Sequence, residues 1–354
     1  MKAFIATVPF TIIEAVNYVV SENIDDADIY LVNVFNDARE IYENIKKTDV
    51  FKNAYFVEDV LLTYPITLKK CFKVIKNGRK FIRDNKKRKY DAVYYNNSGW
   101  LINSVFYTAF RKGNKNLENN FIEHGFYSYT NDYSQKPWYM RHLVHLFGMR
   151  CMDGSMLDNL YMFHPEIMSM PTSANICKMK KMDKTNKRLV NSLNTIFGYS
   201  PEQDEFSEKK IIIMEQGPQK YEFDKDGFWN RILKMIDKDN AIVKAHPRQK
   251  QSSLIDKGVA VCTNHTVPWE IELLNMDIND KVQMTIFSGS CISPKLLFDE
   301  EPTVIFLYKI APIDQSVWGE GVTAFADSLG EMYRDKSKYF VPNSWEEFDA
   351  YLKK

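Results

Sequence analysis

The sequence lacks the signatures that mark several large classes of protein. Its five cysteines, Cys71, Cys151, Cys177, Cys262 and Cys291, are odd in number and show no Cys-x-x-Cys spacing. That argues against a disulfide framework and a zinc site, and fits a reducing compartment. No Gly-rich dinucleotide fingerprint, P-loop or Gly-x-Ser-x-Gly elbow occurs. No apolar stretch approaches the roughly 20 residues that span a bilayer. The apolar run Ala3–Val8 has no signal-peptide layout behind it, so a cytoplasmic location is expected. A net charge of +1 offers no global field for nucleic acid. Repeats and low-complexity segments are missing too.

What is present is an ordinary globular balance. With 354 residues, 45% hydrophobic and 26% charged, the chain is long for one domain and comfortable for two. Its 23 Phe and 20 Tyr suit packing, and secondarily stacking on sugars or bases. The run Lys86–Lys87–Arg88–Lys89 reads as a solvated helix end, with a weak pull toward an anionic membrane as the alternative. An attachment to the inner face of the membrane is compatible with it, and so is a homodimer through the irregular segment 130–180.

Short apolar runs alternate with amphipathic stretches in both halves. Ala3–Val8, Asp28–Val34, Ala54–Val57, Tyr90–Tyr95, Asn120–Glu123 and Asn159–Phe163 read as strands, with helices predicted around 11–21, 37–47, 66–84, after Ser98, and 138–147. The rhythm resumes with strands at Ile211–Met214, Ala241–Ala245, Val259–Thr263, Met284–Phe287 and Thr303–Tyr308, and helices at 226–236, 268–274 and 345–352. Such alternation predicts an α/β protein with two Rossmann-like, doubly wound domains facing a central cleft. The expected division is 1–180, a linker with a helix at 181–207, and 208–354. Ligands of such sheets bind at the carboxyl ends of the strands.

The most suggestive polar groups follow strands at once. Glu123–His124–Gly125, Glu215–Gln216–Gly217–Pro218, His246–Pro247–Arg248 and Ser288–Gly289–Ser290 each close an apolar run. Ser293–Pro294 has the form of a helix start, so the serines before it could offer hydroxyls and amides to a phosphate, or form an ordinary capped turn. Lys244, His246 and Arg248 alternate along a strand end, which suits neutralising a phosphate better than binding a metal; a buried histidine bonded to backbone is the competing account. Glu270 either caps its own helix or accepts ribose hydroxyls. Glu123 could act as a general base, with Gly125 permitting a tight turn. Asp224 and Asp226 lie in the loop after the first strand of the second half; Asp226 suits helix capping. His142 and His145 share a helix face without further ligands nearby, which favours a surface role.

In combination, Glu123–His124–Gly125, His246–Pro247 and Ser288–Gly289–Ser290 resemble the acidic, His–Pro and serine motifs of bacterial sialyltransferases. The start Ile5–Ala6–Thr7–Val8–Pro9–Phe10 and the stretch Gly125–Phe126–Tyr127–Ser128–Tyr129 look most like glycosyltransferase family 52. The resemblance implies a GT-B fold, CMP-sialic acid as donor substrate, a glycan acceptor, and an inverting displacement with no metal or cofactor. It implies His246 at the leaving phosphate, Ser288, Gly289 and Ser290 with loop amides such as that of Gly217 around it, and Lys244, Pro247, Arg248 and Glu270 on the rest of the donor. Asp224 is favoured as base, with Glu123 in an acceptor or structural role. His124 departs from the usual second acidic residue, and Gly289 separates serines that are often adjacent. Other readings are a GT-B transferase of another nucleotide sugar, a nucleotide-sugar epimerase, and a non-catalytic capsule-assembly scaffold.

Overall fold

The computed structural model describes residues 1–353 except 59, 61–66, 97–99, 126, 169, 217–226, 247–248, 250, 265–266 and 313–318, and among the described residues are thirteen strands and eleven α-helices. The first half runs β1 (Lys2–Ala6), α1 (Pro9–Ser21), β2 (Ala27–Val32), α2 (Ala38–Ile45), β3 (Asn53–Val57), α3 (Leu68–Asn85), β4 (Ala92–Tyr95), α4 (Trp100–Gly113) and β5 (Glu118–Ile122). It continues with α5 (Tyr127–Thr130), α6 (Trp138–Leu146), β6 (Asn159–Met162), β7 (Asn175–Lys178) and α7 (Lys187–Phe197). The second half runs β8 (Ile211–Met214), α8 (Phe228–Met235), β9 (Ala241–Lys244), β10 (Ala260–Val261), α9 (Trp269–Asn275) and β11 (Val282–Thr285). It ends with β12 (Thr303–Phe306), α10 (Gly319–Met332), β13 (Tyr339–Phe340) and α11 (Trp345–Leu352).

All strand pairs among the described residues are parallel. One sheet has the order β3-β2-β1-β4-β5-β6-β7, the other β10-β9-β8-β11-β12-β13. Parallel strands are covered on both faces, so their sequences are continuous apolar runs. All six residues of β2 are buried, as are Thr11–Val20 of α1. Behind the first sheet, Tyr30 stacks on Tyr55 and packs edge-on to Phe81 and Phe106. Its hydroxyl pairs with that of Tyr90 at 2.7 Å, which in turn donates to buried Asp28 at 2.5 Å.

The chain divides into two compact units, Met1–Gly198 and Tyr199–Lys354. The sequence reading set a linker at 181–207. Helix α7 within that stretch starts at Asn186, whose side chain accepts from the Leu189 amide at 3.2 Å, and packs on α1 and α2 of the first unit. Its end is set by Gly198 in the left-handed region, φ 62°. Four elements escape the sequence reading: edge strands β7 and β13, and helices α5 and α10.

Candidate functional site

The strand orders locate the ligand-binding edge of each unit. Winding reverses between β1 and β4 in the first sheet and between β8 and β11 in the second, and the crevice at such a reversal opens at the carboxyl ends.

In the first unit the turn after β1 is held by Thr11. Its hydroxyl accepts from the amides of Thr7 and Val8 at 3.1 and 3.3 Å and donates to the Val8 carbonyl at 2.7 Å. Phe10 at the start of α1 lies 6.1 Å, edge-on, from His124 after β5. Gly125 has φ +62°, the left-handed turn for which a glycine was expected there. Asn96, directly after β4, is buried with neither carboxamide atom partnered.

Glu123 is 0% exposed. Its Oε2 accepts from the Tyr129 hydroxyl at 2.5 Å and the Phe163 amide at 2.7 Å, while Oε1 is buried without a partner. Burial pushes its pKa up to about 7, against the Tyr129 and Phe163 bonds and the Lys181 charge, which pull it down. The Tyr129 hydroxyl also accepts from the His164 amide at 3.2 Å. His164 Nε2 meets the Lys181 ammonium, and Nδ1 lies 2.7 Å from Glu166 Oε1. With an ammonium donating to Nε2, the ring proton sits on Nδ1 and is donated to Glu166. Burial lowers the His124 pKa to about 4, so that ring is neutral, with Nδ1 unpartnered. The sequence reading singled out Glu123 but not Tyr129, His164 or Lys181. Only their common position near the ends of β5 and β6 could have pointed to them.

In the second unit, Glu215 after β8 is buried and pinned by Ser253, whose amide and hydroxyl donate to Oε1 at 2.8 and 2.5 Å. Gln216 Oε1 accepts from the Phe287 amide at 3.2 Å, tying the ends of β8 and β11 together across the reversal. Ser288 caps a single 3-10 turn, Gly289–Cys291, by accepting from the Ser290 amide at 3.3 Å. A Cβ on Gly289 would meet nothing within 4 Å, so this turn borders open space.

Ser293 stands at the N-cap position of the short helical turn Pro294–Phe298, with Pro294 at its start, as the sequence predicts; its hydroxyl makes no cap bond and instead donates to Glu270 Oε1 at 3.0 Å. Glu270 lies in the first turn of α9, behind Pro268 at the N-cap position, and its carboxyl engages its own first-turn amide. The Ser293–Glu270 bond joins α9 to the helical turn that follows the serine turn. Burial raises the Glu270 pKa, opposed by the bond from its own amide, the Ser293 bond and the Lys244 charge.

Lys244 is buried; its ammonium donates to the Val267 carbonyl at 3.1 Å and lies 5.4 Å from the Phe206 ring. Its charge also acts on Glu272, whose pKa burial raises to about 7. His246 opens a turn closed by Gln249, whose amide donates to the His246 carbonyl at 2.8 Å and whose side chain accepts from the His246 amide at 3.2 Å. Gly217, Asp224, Asp226, Pro247 and Arg248 lie outside the described residues. Helix α8 has Gly227 at its N-cap position, in the left-handed region. His142 and His145 are both exposed on α6.

No protein-family model and no curated protein matches the chain. Among solved structures, the glycotransferase of kitacinnamycin aligns with 99% of this chain and 89% of its own, at TM-score 0.51 and 10% identity. A UGT of Arabidopsis thaliana complexed with UDP aligns over 99% of this chain and 88% of its own, at TM-score 0.52 and 8% identity. A UDP-N-acetylglucosamine 2-epimerase from Rickettsia bellii does so over 99% and 94%, at TM-score 0.47 and 12% identity. At such identities the likeness is one of fold, and the chain has the GT-B fold, two Rossmann-like units with seven- and six-stranded parallel sheets.

Proposed function

We propose that the chain is a glycosyltransferase that moves sialic acid from CMP-sialic acid to a hydroxyl of a cell-surface glycan, a lipooligosaccharide or capsular polysaccharide. The observation that carries this reading is the Ser293–Glu270 bond, which ties α9 to the chain just after the serine turn that follows β11, a strand at the winding reversal of the second sheet. A carboxylate there can accept from ribose hydroxyls while hydroxyls and amides of the turn receive the phosphate. The GT-B fold supports the transferase class. The resemblance to family 52 supplies the donor.

In this reading negative charge grows on the CMP phosphate as the glycosidic bond breaks. His246 stabilises or protonates that phosphate, and Ser288 and Ser290 hold it. Asp224 takes the acceptor proton. Glu123 suits that task less well, because its Oε2 is already engaged by Tyr129 and Phe163 within a fully buried site.

The test is calorimetry with CMP, followed by CMP release from CMP-sialic acid without acceptor. Removal of His246 should lower turnover about a hundredfold, the order lost with one positioned transition-state donor. Asp224→Ala should abolish transfer while CMP binding survives. No CMP binding by the wild-type chain would sink the reading. A second reading, a UDP-sugar donor, draws on the Arabidopsis UGT complexed with UDP. Tighter binding of UDP than of CMP would favour it.

A further inference from the structure

Two helices of the first unit turn apolar side chains outward. In α6 only Val144 is buried, while Trp138, Tyr139, Leu143 and Leu146 are between 42% and 77% exposed. In a helix these four positions share the face opposite Val144, so the amphipathic order is inverted, with the apolar stripe to solvent. In α3, Leu68 and Phe72 are one turn apart and more than 70% exposed. Lys76, Arg79 and Arg83 continue that exposed stripe. Arg79 Nε donates to the Phe147 carbonyl at 3.2 Å, which fixes the last turn of α6 beside the exposed side of α3.

The charge around this face is as unusual as its apolar content. Residues 68–89 hold eleven Lys and Arg against one acid, Asp84, a local charge of +10 in a chain whose total is +1. Helix α6 contributes Arg141 and no acid.

We propose that the face formed by α3 and α6 docks on an anionic lipid surface, with the ring and leucine side chains entering the headgroup–acyl boundary and the lysines and arginines lying over the headgroups. Exposed aromatic and aliphatic side chains interleaved with cations are the composition of interfacial, non-spanning attachment. No described helix is long and apolar enough to cross a membrane, which leaves attachment along the surface. A second copy fits poorly, because it would bring two strongly positive faces together. Nucleic acid would leave Leu68, Leu143 and Leu146 without a role, since stacking needs aromatic planes.

Vesicle co-sedimentation of the full chain tests this. Binding is expected to mixed phosphatidylcholine–phosphatidylglycerol vesicles, not to phosphatidylcholine alone, and should fall as sodium chloride rises. A K73E/K76E/K80E variant should lose about a hundredfold in partitioning, taking roughly fivefold per cation near an anionic surface. A W138S/L143S/L146S variant should lose vesicle binding with an unchanged thermal melt, since all three residues are exposed. Three outcomes would overturn the proposal. One is the absence of binding to the anionic vesicles, and another is binding that the serine variant retains. The third is a dimer in sedimentation velocity that the serine variant turns into monomer, which would assign the face to a second copy.

Discussion

Replacing Glu123 by Gln should make the chain's stability less sensitive to pH, in a direction fixed by the burial of that carboxyl. Glu123 is raised from an ordinary 4.5 to about 7 by burial. A carboxyl raised on folding binds its proton more tightly in the native state. Its contribution is therefore fully present below the unfolded pKa and is lost as pH climbs through the folded one. A rise from 4.5 to about 7 corresponds to about 3 kcal/mol lost between pH 4.5 and pH 8. Glutamine keeps an oxygen for the Tyr129 hydroxyl and the Phe163 amide, at 2.5 and 2.7 Å in the native site, and cannot ionise. The E123Q chain should thus gain about 3 kcal/mol over wild type on moving from mildly acid to mildly alkaline buffer. Urea unfolding followed by circular dichroism at the two pH values measures the difference. If the gap between the chains stays constant, Glu123 ionises as an ordinary carboxylate and the reasoning fails. The same variant should keep most of its transferase turnover, because Asp224 rather than Glu123 is assigned the base.

In the second unit, Lys295 donates to Glu301 and Asp299 at 2.6 Å each, with Lys295 and Glu301 both buried. Lys295→Met should lower stability by about 1–2 kcal/mol, read as a drop in urea midpoint: one charge-assisted bond to Glu301 is lost, while the Arg334 guanidinium and amide, both at 3.1 Å, keep that carboxylate paired. Asn96→Ala carries an unusual sign. The carboxamide has no partner to lose, so the melting temperature should hold or rise, while KM for the acceptor glycan increases and CMP affinity does not move. A melting temperature several degrees lower would mean that Asn96 is structural.

Much of this architecture was legible because buried parallel strands write themselves as apolar runs. Ile211–Met214 and Trp345–Leu352 have the same bounds in sequence and structure. The missed elements each hide the signal: helix α5 is a single four-residue turn. Strand β7, Asn-Ile-Cys-Lys, is an exposed sheet edge with no apolar face to alternate. Strand β13 is two residues long. Helix α10 carries Gly319, Gly321 and Gly330, which read as breakers, yet a Cβ at Gly330 would lie 2.8 Å from the Tyr339 ring, so that glycine is a packing requirement. At the site, residues that follow strands could be picked out one by one, but their partners could not. Ser293 has the form of a cap in sequence, and only the fold turns its hydroxyl to Glu270, 23 positions away.

The two sheets share one winding order, yet their carboxyl ends differ in chemistry, and that difference bears on which substrate each unit suits. Around the first reversal lie Asn96, His124 with its pKa near 4, and Glu123 with its pKa near 7, each with a buried atom left unpartnered. Such atoms cost about 1–3 kcal/mol apiece when unmet. A ligand of hydroxyls, which both donate and accept, would satisfy them without bringing charge into a buried edge. Around the second reversal the groups are of the opposite kind: the Lys244 ammonium, the Glu270 and Glu272 carboxyls, and a serine turn bordering open space. The hydroxyls and amides of the serine turn can receive a phosphate, and the carboxyls can accept from ribose hydroxyls. The proposal of a nucleotide donor in the second unit and a glycan acceptor in the first draws on that contrast between the two edges.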